Sequence, residues 1–116
     1  MSEPFDRDEL IDRVDGDFEF LEDTVSMLDE DSPDLLEQIR VAAKAQDAES
    51  LVTAAHTLKG MLANFCAETA EGAARELESM GREGRVGDLE SAAEVVERET
   101  LRLQAALREF LQSKST

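Results

Sequence analysis

Asp47-Ala48-Glu49-Ser50-Leu51-Val52-Thr53-Ala54-Ala55-His56-Thr57-Leu58-Lys59-Gly60-Met61-Leu62-Ala63-Asn64-Phe65 is the stretch whose spacing decides the fold. Its apolar residues Leu51, Ala55, Leu58, Leu62 and Phe65 recur at steps of four and three, the period of an α-helix with one buried face. Asp47 stands where a side-chain oxygen can accept a free backbone N–H of the first turn, which predicts a helix over about 48–65.

Working outward, the upstream segment 17–45 is also helical in period, but Pro33 lies inside it. Proline lacks a backbone N–H and crowds the carbonyl four residues back, so a single helix kinked near 31–33 is expected, with two helices and Ser32 as the second cap as the alternative. Residues 6–14 read as a short N-terminal helix capped by Asp6, set apart by Gly16-Asp17. Downstream, Ala67, Ala70, Ala74, Leu77 and Met80 mark a helix over 67–80, ended by the glycine-rich run Gly81 to Gly87. Asp88 caps a last helix over 88–112, with core positions Leu89, Ala92, Val96, Leu103, Leu107 and Phe110 and a fraying tail from Ser113 to Thr116. Alternation typical of strands is missing. The chain therefore reads as all-α: an antiparallel up-and-down four-helix bundle with a short N-terminal helix, forming one domain over residues 1–116.

Composition narrows function. Twelve Lys+Arg against 28 Asp+Glu give a net charge of −16, while 41% of residues are hydrophobic, enough for a modest core. Such a charge opposes both polyphosphate backbones and anionic lipid heads, so neither nucleic acid nor a membrane surface is an expected partner. The single Cys66 cannot form an internal disulfide, the N-terminus has no apolar signal core, and no run is long enough to span a bilayer. A cytoplasmic monomer is expected.

The one histidine can be placed on the helical wheel. With the core stripe near zero, His56 falls at about 140°, Lys59 at about 80°, Ala63 at about 120° and Gly60 at about 180°. The imidazole is thus expected off the core face, beside one cation and two small residues. A metal centre needs several His or Cys ligands, and one of each, ten residues apart, does not supply them; no metal or other cofactor is expected. Thr53 and Thr57 lie elsewhere on the wheel, so a hydrolase triad is not formed. What an exposed neutral imidazole can do is attack phosphorus through a ring lone pair. Lys59, one turn on, could neutralise the charge that develops, and Gly60 leaves access for a partner.

Ala54-Ala55-His56-Thr57-Leu58-Lys59-Gly60 resembles the phosphorylation motif of histidine-containing phosphotransfer (HPt) domains. The resemblance extends from Phe5-Asp6 through Asp31-Ser32-Pro33-Asp34-Leu35-Leu36 and Gln46-Asp47-Ala48-Glu49-Ser50-Leu51 to Leu77-Glu78. It implies that His56 is the phosphoryl acceptor, Lys59 the charge stabiliser and Gly60 the access position, and that Glu78 orients the imidazole from the next helix. It further implies a docking face that includes Val52, Met61, Ala63 and Asn64, and as partner a response-regulator receiver domain, a hybrid histidine kinase or both. The chain departs from the family at Met61, Cys66 and Ala70, which bears on partner fit more than on chemistry. No kinase glycine loop, Walker motif or Mg²⁺-binding constellation is present, so a phosphotransfer protein rather than an enzyme using ATP is expected.

Other features have plainer readings. Cys66 reads as a small buried hydrophobe, with a redox switch as the alternative. The Gly81 to Gly87 run lacks a P-loop ending and reads as a turn. The acidic run 29–34 lacks the glycine and glutamate of a calcium loop and reads as a solvated helix face. Met27, Met61 and Met80 read as bundle filler. A helical adaptor that binds a receiver or kinase without being phosphorylated remains the alternative function.

Overall fold

The computed structural model describes residues 3–114 and, within them, every side chain but that of Val86. Five α-helices follow one another with no strand among the described residues: α1 Arg7–Arg13, α2 Phe18–Ala45, α3 Ala48–Leu62, α4 Glu68–Glu83 and α5 Leu89–Lys114. Short 3-10 turns at Ala63–Phe65 and Val86–Asp88 precede α4 and α5. The four long helices form the expected antiparallel bundle, each packed on its chain neighbours and α2 closing against α5. None of the described helices is long and apolar enough to cross a membrane.

Local chemistry sets the helix starts. The Asp6, Asp17 and Asp47 carboxylates accept the N–H groups of Glu9, Phe20 and Ser50, as N-caps do. Only two residues join α2 to α3. Gln46 takes a left-handed conformation, φ 57°, and Asp47 N–H donates back to the Ala42 carbonyl at 2.8 Å, so α2 ends and α3 begins within one tight reversal. A connection this short forces the two helices antiparallel.

α2 runs through Pro33 as one helix, so the two-helix alternative with Ser32 as a cap is not realised. Ser32 is instead buried, and its hydroxyl accepts from Gln104 Nε2 at 3.1 Å; the same amide donates to Asp29 Oδ1 at 2.8 Å. A polar clamp between α2 and α5 thus sits beside the turn that lacks a proline N–H.

The core is a single cluster of Leu, Ala, Val, Ile and Phe with Met80, and it includes the whole predicted stripe from Leu51 to Phe65. α1 covers one end, burying Leu10, while Phe5 meets Phe110 edge-on with centroids 5.5 Å apart. α1 is also tied to the end of α3: Asp6 N–H donates to the Cys66 carbonyl, and the Arg13 guanidinium donates to the Ala63 carbonyl.

Three boundaries differ from expectation. α3 ends at Leu62, and the expected last turn, Ala63–Phe65, tightens to a 3-10 turn that leads into the left-handed Cys66. α4 continues past Met80 through Gly81 and Arg82 to Glu83, because Gly81 is packed rather than turning. A Cβ there would stand 2.6 Å from Val52 Cγ2 and 3.1 Å from Leu51 Cδ2, so its absence is what lets α4 approach α3. The turn comes at Gly84, φ 74°. α5 likewise extends through Ser113 and Lys114; the rest of the expected fraying tail, residues 115 and 116, lies outside the described residues.

Candidate functional site

With Leu51, Ala54, Ala55, Leu58 and Leu62 buried, the helical period turns His56 and Gly60 outward and leaves Lys59 at the boundary with α4. The His56 side chain is 62% exposed, off the core face as its place on the helical wheel requires. Its ring is nevertheless held. Nδ1 lies 3.0 Å from Oε2 of Glu78, a side chain on α4 that is only 7% exposed.

Glu78 is the hub of the arrangement. Its Oε1 lies 2.8 Å from Lys59 Nζ, and its Oε2 accepts from Arg82 Nη2 at 2.7 Å and from Arg82 Nε at 3.2 Å. The Lys59 ammonium, above all, holds the Glu78 carboxyl down to about 2 against the opposing effect of burial, with Arg82 and His56 adding to the lowering. At neutral pH Glu78 is therefore an anion that can only accept hydrogen bonds.

The tautomer follows from this. Because the carboxylate has no proton to give, Nδ1 of His56 must carry the hydrogen and donate it to Oε2. In the neutral ring the lone pair then sits on Nε2, which has no partner among the described residues. An exposed imidazole with Nδ1–H held on a buried carboxylate, itself paired with an ammonium and a guanidinium, has the chemistry to act as a nucleophile toward an anionic electrophile.

The structure brings together His56, Lys59 and Glu78 of the sequence-derived residues. Gly60 is exposed, and a Cβ built on it would touch nothing within 4 Å. Val52 is half-buried against Gly81 of α4. Met61 is half-buried on the core, Ala63 is half-buried with its carbonyl taken by Arg13, and Asn64 is exposed in the 3-10 turn that follows. Cys66 is half-buried in a left-handed conformation, φ 53°, and burial pushes its thiol up from the ordinary value. Among the described residues no group of three or more His, Cys, Asp or Glu is placed to hold a metal.

Arg82 is the participant that sequence reasoning missed. Reading Gly81 as a helix stop placed it in a turn, yet the four-residue step from Glu78 to Arg82 is the spacing of a helical ion pair, and it was the available signal.

A four-helix bundle that offers one outward histidine, held from behind by a carboxylate and bordered by cations, has the form of a phosphotransfer module. Comparison with protein families bears this out: the Hpt domain family matches residues 23–113, and the chain belongs to it. Members of the family are histidine phosphotransfer modules of phosphorelays and are not kinases. The match leaves out the Phe5-Asp6 start, α1 and the first five residues of α2. No curated protein and no solved structure matches the chain.

Proposed function

We propose that His56 receives a phosphoryl group from the aspartyl phosphate of a receiver domain, free-standing or part of a hybrid histidine kinase, and passes it to the aspartate of another. The observation that supports this reading is the hydrogen bond from Nδ1–H of His56 to Oε2 of Glu78, which leaves the Nε2 lone pair outward. In the forward step that lone pair attacks phosphorus, the N–P bond forms as the acyl phosphate O–P bond breaks, and the bonding electrons leave on the aspartate carboxylate. The ring keeps its Nδ1–H, and the positive charge it acquires faces the Glu78 carboxylate.

Lys59 pairs with Oε1 of Glu78 and, one turn from His56 on α3, is a cation that can offset the phosphoryl charge as it accumulates. Gly60 leaves the approach to that face clear, while the half-buried Val52, Met61 and Ala63 and the exposed, polar Asn64 contribute the surface on which a receiver rests. Phosphoryl transfer also needs the acidic, cation-binding apparatus of the receiver; this chain supplies the nucleophile and its positioning. His56, Glu78, Lys59 and Arg82 all come from one chain, which is consistent with action as a monomer, and receiver partners of this kind suit a cytoplasmic setting.

The test is to mix the purified chain with a panel of phosphorylated receiver domains and follow intact mass at neutral pH. One added phosphoryl group on the wild type and none on His56→Gln is the expected result. Equal labelling of both would exclude His56 as the acceptor.

A further inference from the structure

Glu78 Oε2 is an unusually crowded acceptor. It takes Nδ1–H of His56 at 3.0 Å, Nη2–H of Arg82 at 2.7 Å and Nε–H of Arg82 at 3.2 Å, while Lys59 occupies Oε1. The carboxylate is buried, whereas the Arg82 side chain is 61% exposed and therefore had solvent as an alternative. A bare carboxylate against an imidazole favours the imidazolium, and an imidazolium has no lone pair to attack with. The arrangement needs the hydrogen bond of the carboxylate without the full weight of its charge.

We infer that Arg82 is a positioning residue of the phosphoryl acceptor: by sharing Oε2 of Glu78 with His56 it fixes the carboxylate behind the ring and offsets part of the charge that the ring meets. The consequence for phosphotransfer rests on the function proposed above, but the physical content concerns the reactivity of the ring and is testable without a receiver. The charged groups that face the ring are Lys59 on its own helix and Glu78 on α4, with Arg82 acting through Glu78. The other α4 arginine, Arg75, is engaged with Glu71, and Arg85, just past the end of α4, with Glu76 and Glu83. On α1, Arg13 is taken by the Ala63 carbonyl, and from α2 no charged side chain pairs with His56, Lys59 or Glu78 among the described residues.

The probe is diethyl pyrocarbonate, which acylates the unprotonated imidazole, and the chain holds one histidine, so the absorbance change reports His56 alone. Rates are measured against pH for the wild type, Arg82→Gln, Arg82→Lys and the pair Glu78→Gln with and without Arg82→Gln; circular dichroism confirms that each is folded. Removing one charge behind the carboxylate should slow Arg82→Gln by roughly threefold on the acidic limb of its profile, with the alkaline plateau unmoved. Arg82→Lys should restore most of the loss, and with Glu78 already neutral the Arg82 change should no longer move the limb. An unmoved limb in Arg82→Gln, or a uniform change of rate at every pH, would overturn the inference. If the limb moves as expected but no receiver phosphorylates the wild type, the proposed function fails while the assignment of Arg82 stands.

Discussion

Replacing Gly60 by Ala should make the protein more stable and worse at transfer. Gly60 lies in the last turn of α3, is exposed, and has open space where its Cβ would be. Glycine inside a helix costs about 0.8–1 kcal/mol relative to alanine, through backbone entropy in the unfolded chain. Near a helix end the gain is smaller, so Gly60→Ala should stabilise by about 0.5–1 kcal/mol and raise Tm by roughly 2–4 °C for a chain of this size. The fold therefore gives no reason for glycine at 60, and the reason must come from outside it. Under the proposed function, a methyl group one turn from His56 would displace a docked receiver by roughly a fraction of an ångström to an ångström, and misplacement of that order costs up to about 100-fold in rate. Thermal melts and the rate of phosphoryl transfer from one receiver, measured on the wild type, Gly60→Ala and Gly60→Gln, separate the two effects. Loss of stability in Gly60→Ala would refute the packing argument. Stability gained, with transfer unchanged even in Gly60→Gln, would refute the access role.

Gly81 predicts the opposite sign. Gly81→Ala forces a Cβ to within 2.6 Å of Val52 Cγ2, a stiff β-branched side chain, and should destabilise by about 1–2 kcal/mol in urea titrations; Val52→Ala in the same chain should recover part of it. Because Glu78 is held at about 2, below its ordinary 4.5, the unfolded chain binds its proton more readily than the folded one. Its contribution is complete above about pH 4.5 and is lost as pH falls toward 2. The cations covering it are partly solvated, so we expect about 1–2 kcal/mol rather than the full linkage value, read as the part of the acid destabilisation that Glu78→Gln lacks. Gln104→Ala should cost about 1–3 kcal/mol by leaving the buried Ser32 hydroxyl without its donor, and Ser32→Ala in the same background should reduce that cost.

Much of the fold was legible because it rests on periodicity. The stripe from Leu51 to Phe65 is buried as its spacing requires, and Asp6 and Asp47 cap the helices they precede. Gly81 was misread because local preference marks glycine near a helix end as a stop, whereas here the demand for close approach by Val52, distant in sequence, overrides it. That one residue also hid Arg82. The exposed position of His56 and the nearness of Lys59 could be worked out on a single helix. Glu78, 22 residues away, came only from family resemblance, since no property of α3 announces which carboxylate on another helix will meet the ring.

The central claim is that Glu78 fixes the proton on Nδ1 and leaves Nε2 of His56 to take the phosphoryl group. Its most direct test is to label the histidine with ¹⁵N, phosphorylate the chain from a receiver, and record which ring nitrogen couples to phosphorus. Coupling at Nε2 with Nδ1 still protonated is predicted. Coupling at Nδ1, or a phosphoryl group carried on another residue, would contradict the account.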